Sequence, residues 1–183
     1  MISFVVVIAA FAFGAADQYV GSLGGHGVAW AAQVSLLSAP WLVLAFLAGC
    51  TQRAPRPAAV LGLGATLAAL LGYLLMTLSP IEQATLSIRG VEGFVRSDPF
   101  VFLGGAFTGP LFGWFGQQWR VQRAWAGALV SAAMVCLEPA IRDLAGQAIT
   151  SRRVALAEVG AGLALAAYFA VAARRWRLAE QRG

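Results

Sequence analysis

The sequence predicts an all-α polytopic membrane protein: a six-helix transmembrane bundle forming a single domain over residues 1–183. Three observations carry this. Hydrophobic residues make up 60% of the chain and charged residues only 11%, with a mean hydropathy of +0.74, whereas soluble domains carry about 25% charged residues. The apolar residues come in blocks long enough to cross a bilayer, which takes roughly 20 mostly apolar residues, and not in alternating or one-sided patterns. The basic residues collect in every second inter-block segment, as in a chain that crosses a membrane repeatedly.

The spans read as 2–20, 27–49, 57–78, 99–118, 124–144 and 154–173. The loop 51–57 (TQRAPRP), the loop 118–125 and the C-terminal RRWRLAEQR alternate onto one face, which carries eight Arg and one acid, Glu180. The opposite loops carry five Arg and most of the acids. The positive-inside rule then puts both termini in the cytoplasm, and with the residue usage described below the expected location is a bacterial inner membrane. Trp119, Trp125 and Trp176 beside those Arg residues suit an aromatic belt. The longest loop, 79–98, has the mixed charge and apolar spacing of a short helix lying on the outer surface. In the fourth span, Gly105, Gly109 and Gly113 make a small-residue ridge for close helix packing, and Pro110 frees a backbone carbonyl where a kink is expected. Ala12 and Ala16 make a weaker ridge in the first span.

Composition excludes several functions. All thirteen basic residues are Arg, and with the abundant Ala and Gly this usage suits a GC-rich bacterial genome. The net charge of +5 sits beside no soluble fold, so it reads as topology signal and not as a nucleic-acid surface. Cys50 and Cys136 lack metal spacing and read as inert thiols. His26 is the only histidine, so no metal site is expected. No P-loop, Asp-rich diphosphate motif or Ser-His-Asp set is present, and no cofactor is implied. The first block has no basic leader, so no cleaved signal peptide is expected.

Ionisable side chains inside spans are costly and are functional candidates. Asp17, Glu82, Glu138 and Glu158 all fall in the outer half of the expected topology. Glu138 and Arg142 stand at i, i+4, which suits a structural ion pair, although Glu138 also qualifies as a substrate contact. Glu158 lies near Arg153 and reads as interfacial. Asp17 follows fifteen uncharged residues and has no cation near it in sequence. A carboxyl kept from water without a cation favours its neutral form, which is a proton donor. Gln18, Tyr19, Gln33, Ser38 and Tyr73 offer uncharged polar groups around it. Trp30, Trp41, Phe107 and Trp114 offer π faces that attract cations. Each of these also has an ordinary packing role.

The segments ADQYVGSL, LLSAPWLVLAF, LLGYLLMTLSPIE and GGAFTGPLFGWFGQQWR resemble a family of small six-span membrane proteins of actinobacteria. The resemblance covers roughly residues 10–145. The subgroup with DQY and SPxE is similar to the drimentine-type integral-membrane terpene cyclases. That resemblance implies a metal-free enzyme acting on a lipophilic, prenylated, farnesyl-indole-like substrate. It implies protonation of a terminal alkene, cation cyclisation and a final deprotonation. Asp17 and Glu82 match its acidic positions as catalytic residues, with either one the donor. Two rivals stay open: a six-helix solute-binding subunit of a membrane transporter, and a non-enzymatic membrane scaffold. A closed apolar cavity bearing an acid favours the cyclase, and a polar cup open to the outside favours transport.

Overall fold

A computed structural model describes residues 2–97, 99–147 and 149–180. Among them every regular element is helical and there is no strand. The elements are α1 (Ile2–Ser22), α2 (Ala29–Ser35), α3 (Ala39–Cys50), α4 (Pro55–Thr77), α5 (Ile88–Ser97), α6 (Pro99–Gln122), α7 (Trp125–Leu144) and α8 (Arg152–Glu180). Short 3-10 turns follow α1 (Leu23–His26) and α4 (Pro80–Glu82). Asp98 and Arg182, both counted in the loop charges above, lie outside the described residues.

Four segments are long and apolar enough to cross a membrane: Ile2–His26, Pro55–Thr77, Trp125–Leu144 and Arg152–Trp176. The pair α2 and α3 makes a fifth if the two halves form one span. The expectation of six is therefore met for four segments, or five. α6 has 24 residues, but its five glycines, Thr108, Gln117 and Gln118 dilute its apolar character, and it is not among those segments.

The expected continuous span 27–49 is instead broken. α2 stops at Ser35, α3 begins at Ala39, and their axes differ by 45°. Pro40 supplies the reason. In an unbroken helix its ring would press on the carbonyl of Leu36 and offer that carbonyl no N–H. The same residue type is harmless at the start of α4, where Pro55 occupies the first turn and the missing N–H has no intrahelical partner to lose.

α4 lies at the centre, packed on α1, α3 and α6, while α7 and α8 pair at one side. Small residues set these distances. A Cβ on Gly14 would collide with the backbone carbonyl of Ala69, and one on Gly72 with that of Phe11, so α1 and α4 meet backbone to backbone. The α6 ridge also faces neighbours. Gly105 lies against Thr66, where a Cβ would stand 3.0 Å from Cγ2, and at Gly113 a Cβ would stand 2.5 Å from the Ala58 carbonyl oxygen. Gly116 extends the ridge onto Phe46 of α3. The weaker ridge of α1 is not used: Ala12 and Ala16 are exposed, and α1 packs through Ala10 and Gly14 instead.

Two apolar clusters form the core. Ala10, Ala48, Leu61, Ala65 and Ala69 join α1, α3 and α4. Phe46, Phe112, Trp119, Ala128 and Phe169 join α3, α6, α7 and α8. Trp119 thus belongs to the core, its ring 4.8 Å from Phe169 and 4.5 Å from Trp176, and not to an exposed belt. Trp125 is exposed, and Trp176 stacks under the Arg123 guanidinium at 5.6 Å.

Candidate functional site

The antiparallel succession of helices brings the C-terminal ends of α1, α4 and α7 to the same end of the bundle as the N-terminal ends of α3 and α8. Asp17, Glu82, Glu138 and Glu158 therefore gather at that end, in two clusters.

The first cluster is built on Tyr73, near the end of α4. Its hydroxyl lies within electrostatic range of both Asp17 and Glu82. Asp17 comes from α1 and hydrogen-bonds the Trp41 side chain of α3. Glu82 ends the 3-10 turn after α4, where Gln83 takes a left-handed φ of 58° and reverses the chain. Asp17 Oδ2 and Glu82 Oε1 are buried and accept no hydrogen bond. Aromatic rings run continuously past these acids. Phe13 stands edge-on to Trp41 at 5.6 Å, Trp41 lies 6.1 Å from Tyr73, Tyr73 lies 6.0 Å from Phe94, and Phe94 lies 5.7 Å from Phe102. Five helices (α1, α3, α4, α5 and α6) each contribute one ring. Phe94 explains the amphipathic pattern of α5. That helix buries no residue fully, keeps Glu92 and Arg96 paired at 2.7 Å on its exposed side, and turns Phe94 onto the bundle.

The second cluster closes the α2–α3 break. The backbone N–H groups of Ser38 and Ala39 donate to the Glu138 carboxylate at 2.5 and 2.6 Å. Arg142 Nε donates to the same carboxylate at 2.7 Å. Arg142 also donates to the Leu36 carbonyl and, at 3.1 Å, to Ser38 Oγ. The carboxylate thus takes the open N–H groups of α3, and the guanidinium takes the carbonyl that Pro40 left without a donor. Each charge faces the helix end of opposite partial charge. A second tie lies nearby: the Gln33 amide donates to Thr150 Oγ1 and accepts from the Ser151 N–H at 2.7 Å.

Glu158, on α8, approaches Glu138 carboxyl to carboxyl. It is 5% exposed, and neither of its oxygens meets a hydrogen-bond donor. Among the described residues it makes no ion pair with Arg153, and its side chain is buried within the bundle. Glu158 lines a cavity of ≈ 990 Å³ between α2–α3 and α7–α8, with Trp30, Leu37, Pro40, Val135 and Leu165 among its apolar walls. Asp17 and Glu82 are not among its lining residues, so the acid on this apolar cavity is not one of the two that the resemblance marks as catalytic.

The candidate residues therefore divide. Asp17, Trp41, Tyr73 and Glu82 come together. Trp30, Gln33, Ser38 and Glu138 belong to the second cluster, where Glu138 is committed to Arg142 and to the α3 backbone. Gln18 is half-buried on α1 beside Asp17, with no side-chain bond of its own among those described. Tyr19, Phe107 and Trp114 are exposed and stand apart from the acids. Exposed aromatic rings on apolar helices are ordinary lipid-facing groups, which periodicity does not separate from cavity walls. Phe13, Phe94 and Phe102 were missed, and only tertiary packing brings them to Tyr73. Among the described residues no group of His, Cys, Asp and Glu is placed to hold a metal ion. His26 is exposed, and its ring contacts the Ser22 carbonyl at 3.2 Å. Both cysteines are free thiols.

No family model, curated protein or solved structure matches this chain. What the chain is rests on its own residues: an all-helical protein with four to five candidate membrane-spanning helices and two buried carboxylate clusters at one end.

Proposed function

We propose that this protein is a metal-free integral-membrane terpene cyclase that starts carbocation cyclisation by protonating an alkene of a prenylated, lipophilic substrate. The observation that supports it most is the first cluster: two carboxyls, each with a buried unpartnered oxygen, within electrostatic range of the Tyr73 hydroxyl and beside a continuous run of five aromatic rings. Alkene protonation needs a positioned acid. The cation that follows needs surroundings that stabilise positive charge and exclude water, and π faces do both.

In this reading Asp17 gives its proton to the terminal alkene carbon, and the neighbouring carbon becomes a tertiary cation. The internal double bonds then close rings in turn. A proton leaves the last cation, to Glu82 or back to Asp17, so the reaction is an isomerisation with no net proton change. Tyr73 stands within electrostatic range of both carboxyls, and Trp41 fixes Asp17. The chain sits in a bacterial inner membrane with six spans, α6 being the sixth, and with both termini cytoplasmic.

Purified protein in nanodiscs, given a farnesylated indole, is expected to form products of unchanged mass with fewer alkene protons by NMR. Asp17→Asn keeps the shape and removes the transferable proton. It should lower turnover by about 10²–10⁴-fold, the usual contribution of general acid catalysis. Glu82→Gln should cost less or change the product mixture. Full activity in both variants would sink the assignment.

A second reading, a solute-binding transporter subunit, draws on the α2–α3 break, because broken helices line solute sites in transporters. It predicts saturable solute uptake by proteoliposomes and no isomerised product.

A further inference from the structure

The cavity between α2–α3 and α7–α8 is separate from the Asp17–Glu82 cluster, and its chemistry points to a ligand of its own. Its walls are apolar almost throughout, from Trp30, Val34 and Leu37 at one end to Leu165 at the other. Into this apolar space the fold places one acidic side chain, Glu158, 5% exposed and with both oxygens unpartnered. The neighbouring charges do not balance it. Arg142 is a single positive charge, and it is already spent on Glu138, Leu36 and Ser38. The Glu158 and Glu138 carboxyls lie within hydrogen-bonding reach of each other, so the pair is satisfied either by one proton shared between them or by a cation on Glu158. Two ionised carboxylates against the single Arg142 charge would leave a buried charge without a partner, and the side on which a cation can join is the cavity.

An ammonium donates through its N–H groups, and the two Glu158 oxygens are acceptors without a donor of their own. The groove also continues along the bundle. A further cavity of ≈ 350 Å³ shares Val43 and Leu165 with the first and runs on between α3 and α8 to Phe169 and Trp176. A long apolar tail has room along that path. At the other end Arg152 and Arg153 rim the opening. Both are exposed, so water and salt screen them, yet they disfavour small hydrated cations at the mouth. A cation that arrives through the apolar wall avoids them.

We propose that the Glu158 cavity binds a lipophilic amine in its ammonium form, with the head group on Glu158 and the apolar tail along the α3–α8 groove. This site stands whether or not the Asp17–Glu82 cluster is catalytic.

The test uses the full chain in nanodiscs of zwitterionic lipid at neutral pH. Dodecylamine, charged under those conditions, is compared with dodecanol, an uncharged molecule of the same length, and thermal unfolding is followed. The wild type should show saturable stabilisation by dodecylammonium at a half-point about 100-fold below that for dodecanol, the scale expected when a buried charge gains its partner. Glu158→Gln should abolish that preference. Ala161→Phe fills the cavity from an exposed position and leaves the carboxyl in place, so it should abolish the preference as well, and it decides the matter if Glu158→Gln does not fold. Equal half-points for amine and alcohol in the wild type would mean that a proton alone satisfies Glu158, and the proposal is overturned. Preference retained in Ala161→Phe, or in folded Glu158→Gln, overturns it too by placing the amine elsewhere.

Discussion

Glu138 shows how a single intramembrane carboxylate can hold a fold together. Its two oxygens receive the Ser38 and Ala39 N–H groups and Arg142 Nε, and its partner Arg142 is mostly buried, with side-chain exposures of 16% for Arg142 and 9% for Glu138. Ser38 stands at the N-cap position of α3, yet its own side chain makes no capping bond. The carboxylate from α7 does that work across the bundle, so the cap is tertiary. Glu138→Gln keeps the volume and removes the carboxylate that pairs with Arg142 and takes the α3 N–H groups. Removing one partner of a buried pair typically costs about 3–5 kcal/mol. The variant should therefore unfold at clearly lower denaturant in SDS titration of detergent-solubilised protein. A matching loss in Arg142→Gln, with the double variant much less than additive, would show that the two act as one unit. An unchanged midpoint in Glu138→Gln would remove the clamp from the account. The i, i+4 pair itself was legible in the sequence. Its partners were not, because Ser38, Ala39 and Leu36 lie about a hundred positions away and are exposed to it only through the break at Pro40.

At the scale of elements, small residues and prolines divide the work. α6 threads between α3 and α4, and its glycines let backbone approach backbone. A Cβ at Gly109 would stand 2.8 Å from Thr66 Oγ1 and 3.1 Å from Leu63 Cα. Gly109→Leu must push α4 away or leave its rotamer, and overpacking of this kind costs about 1–3 kcal/mol. Gly104, on the same helix, has open space beyond it, so Gly104→Leu should leave stability nearly unchanged. Equal thermal stability of the two variants in detergent would show that the ridge does not set the packing. The ridge was readable from spacing, since i, i+4 periodicity defines a helix face without tertiary knowledge. The α1 ridge misled, because Ala12 and Ala16 are equally small and spacing cannot say which face finds a partner. The break in the second span was also written in the sequence: Pro40 lies mid-block, where a continuous helix tolerates it poorly. α6 and α7 contain Pro110 and Pro139 and remain single helices, so a proline alone did not distinguish the outcomes. What differs at Pro40 is a donor from another helix, Arg142, that takes over the stranded carbonyl.

Across the whole molecule, the helix order fixes which charges share an end. If α2 and α3 count as one crossing, α6 as another and α5 as none, the chain alternates six times. Arg53, Arg56, Arg120, Arg123, Arg174 and Arg175 then fall at one end, and Asp17, Glu82, Glu138 and Glu158 at the other. The hydropathy blocks made that alternation legible, whereas the grouping of the acids into two clusters depended on α3 lying between α4 and α7, which no local pattern encodes. Lys and Arg near span ends favour the cytoplasmic side because their transfer across the membrane is resisted. In the topology proposed above, the Arg-rich end is the cytoplasmic one, and the C-terminus is cytoplasmic with it. A C-terminal fusion to a fluorescent protein that folds only in the cytoplasm should be bright, and the same position fused to alkaline phosphatase should be inactive. A reporter after Gly146, between α7 and α8, should behave in the opposite way, because α8 crosses between the two positions. If both positions report the same side, α8 does not span. If both positions are reversed, the basic end faces outward and the two carboxylate clusters lie on the cytoplasmic side of the membrane.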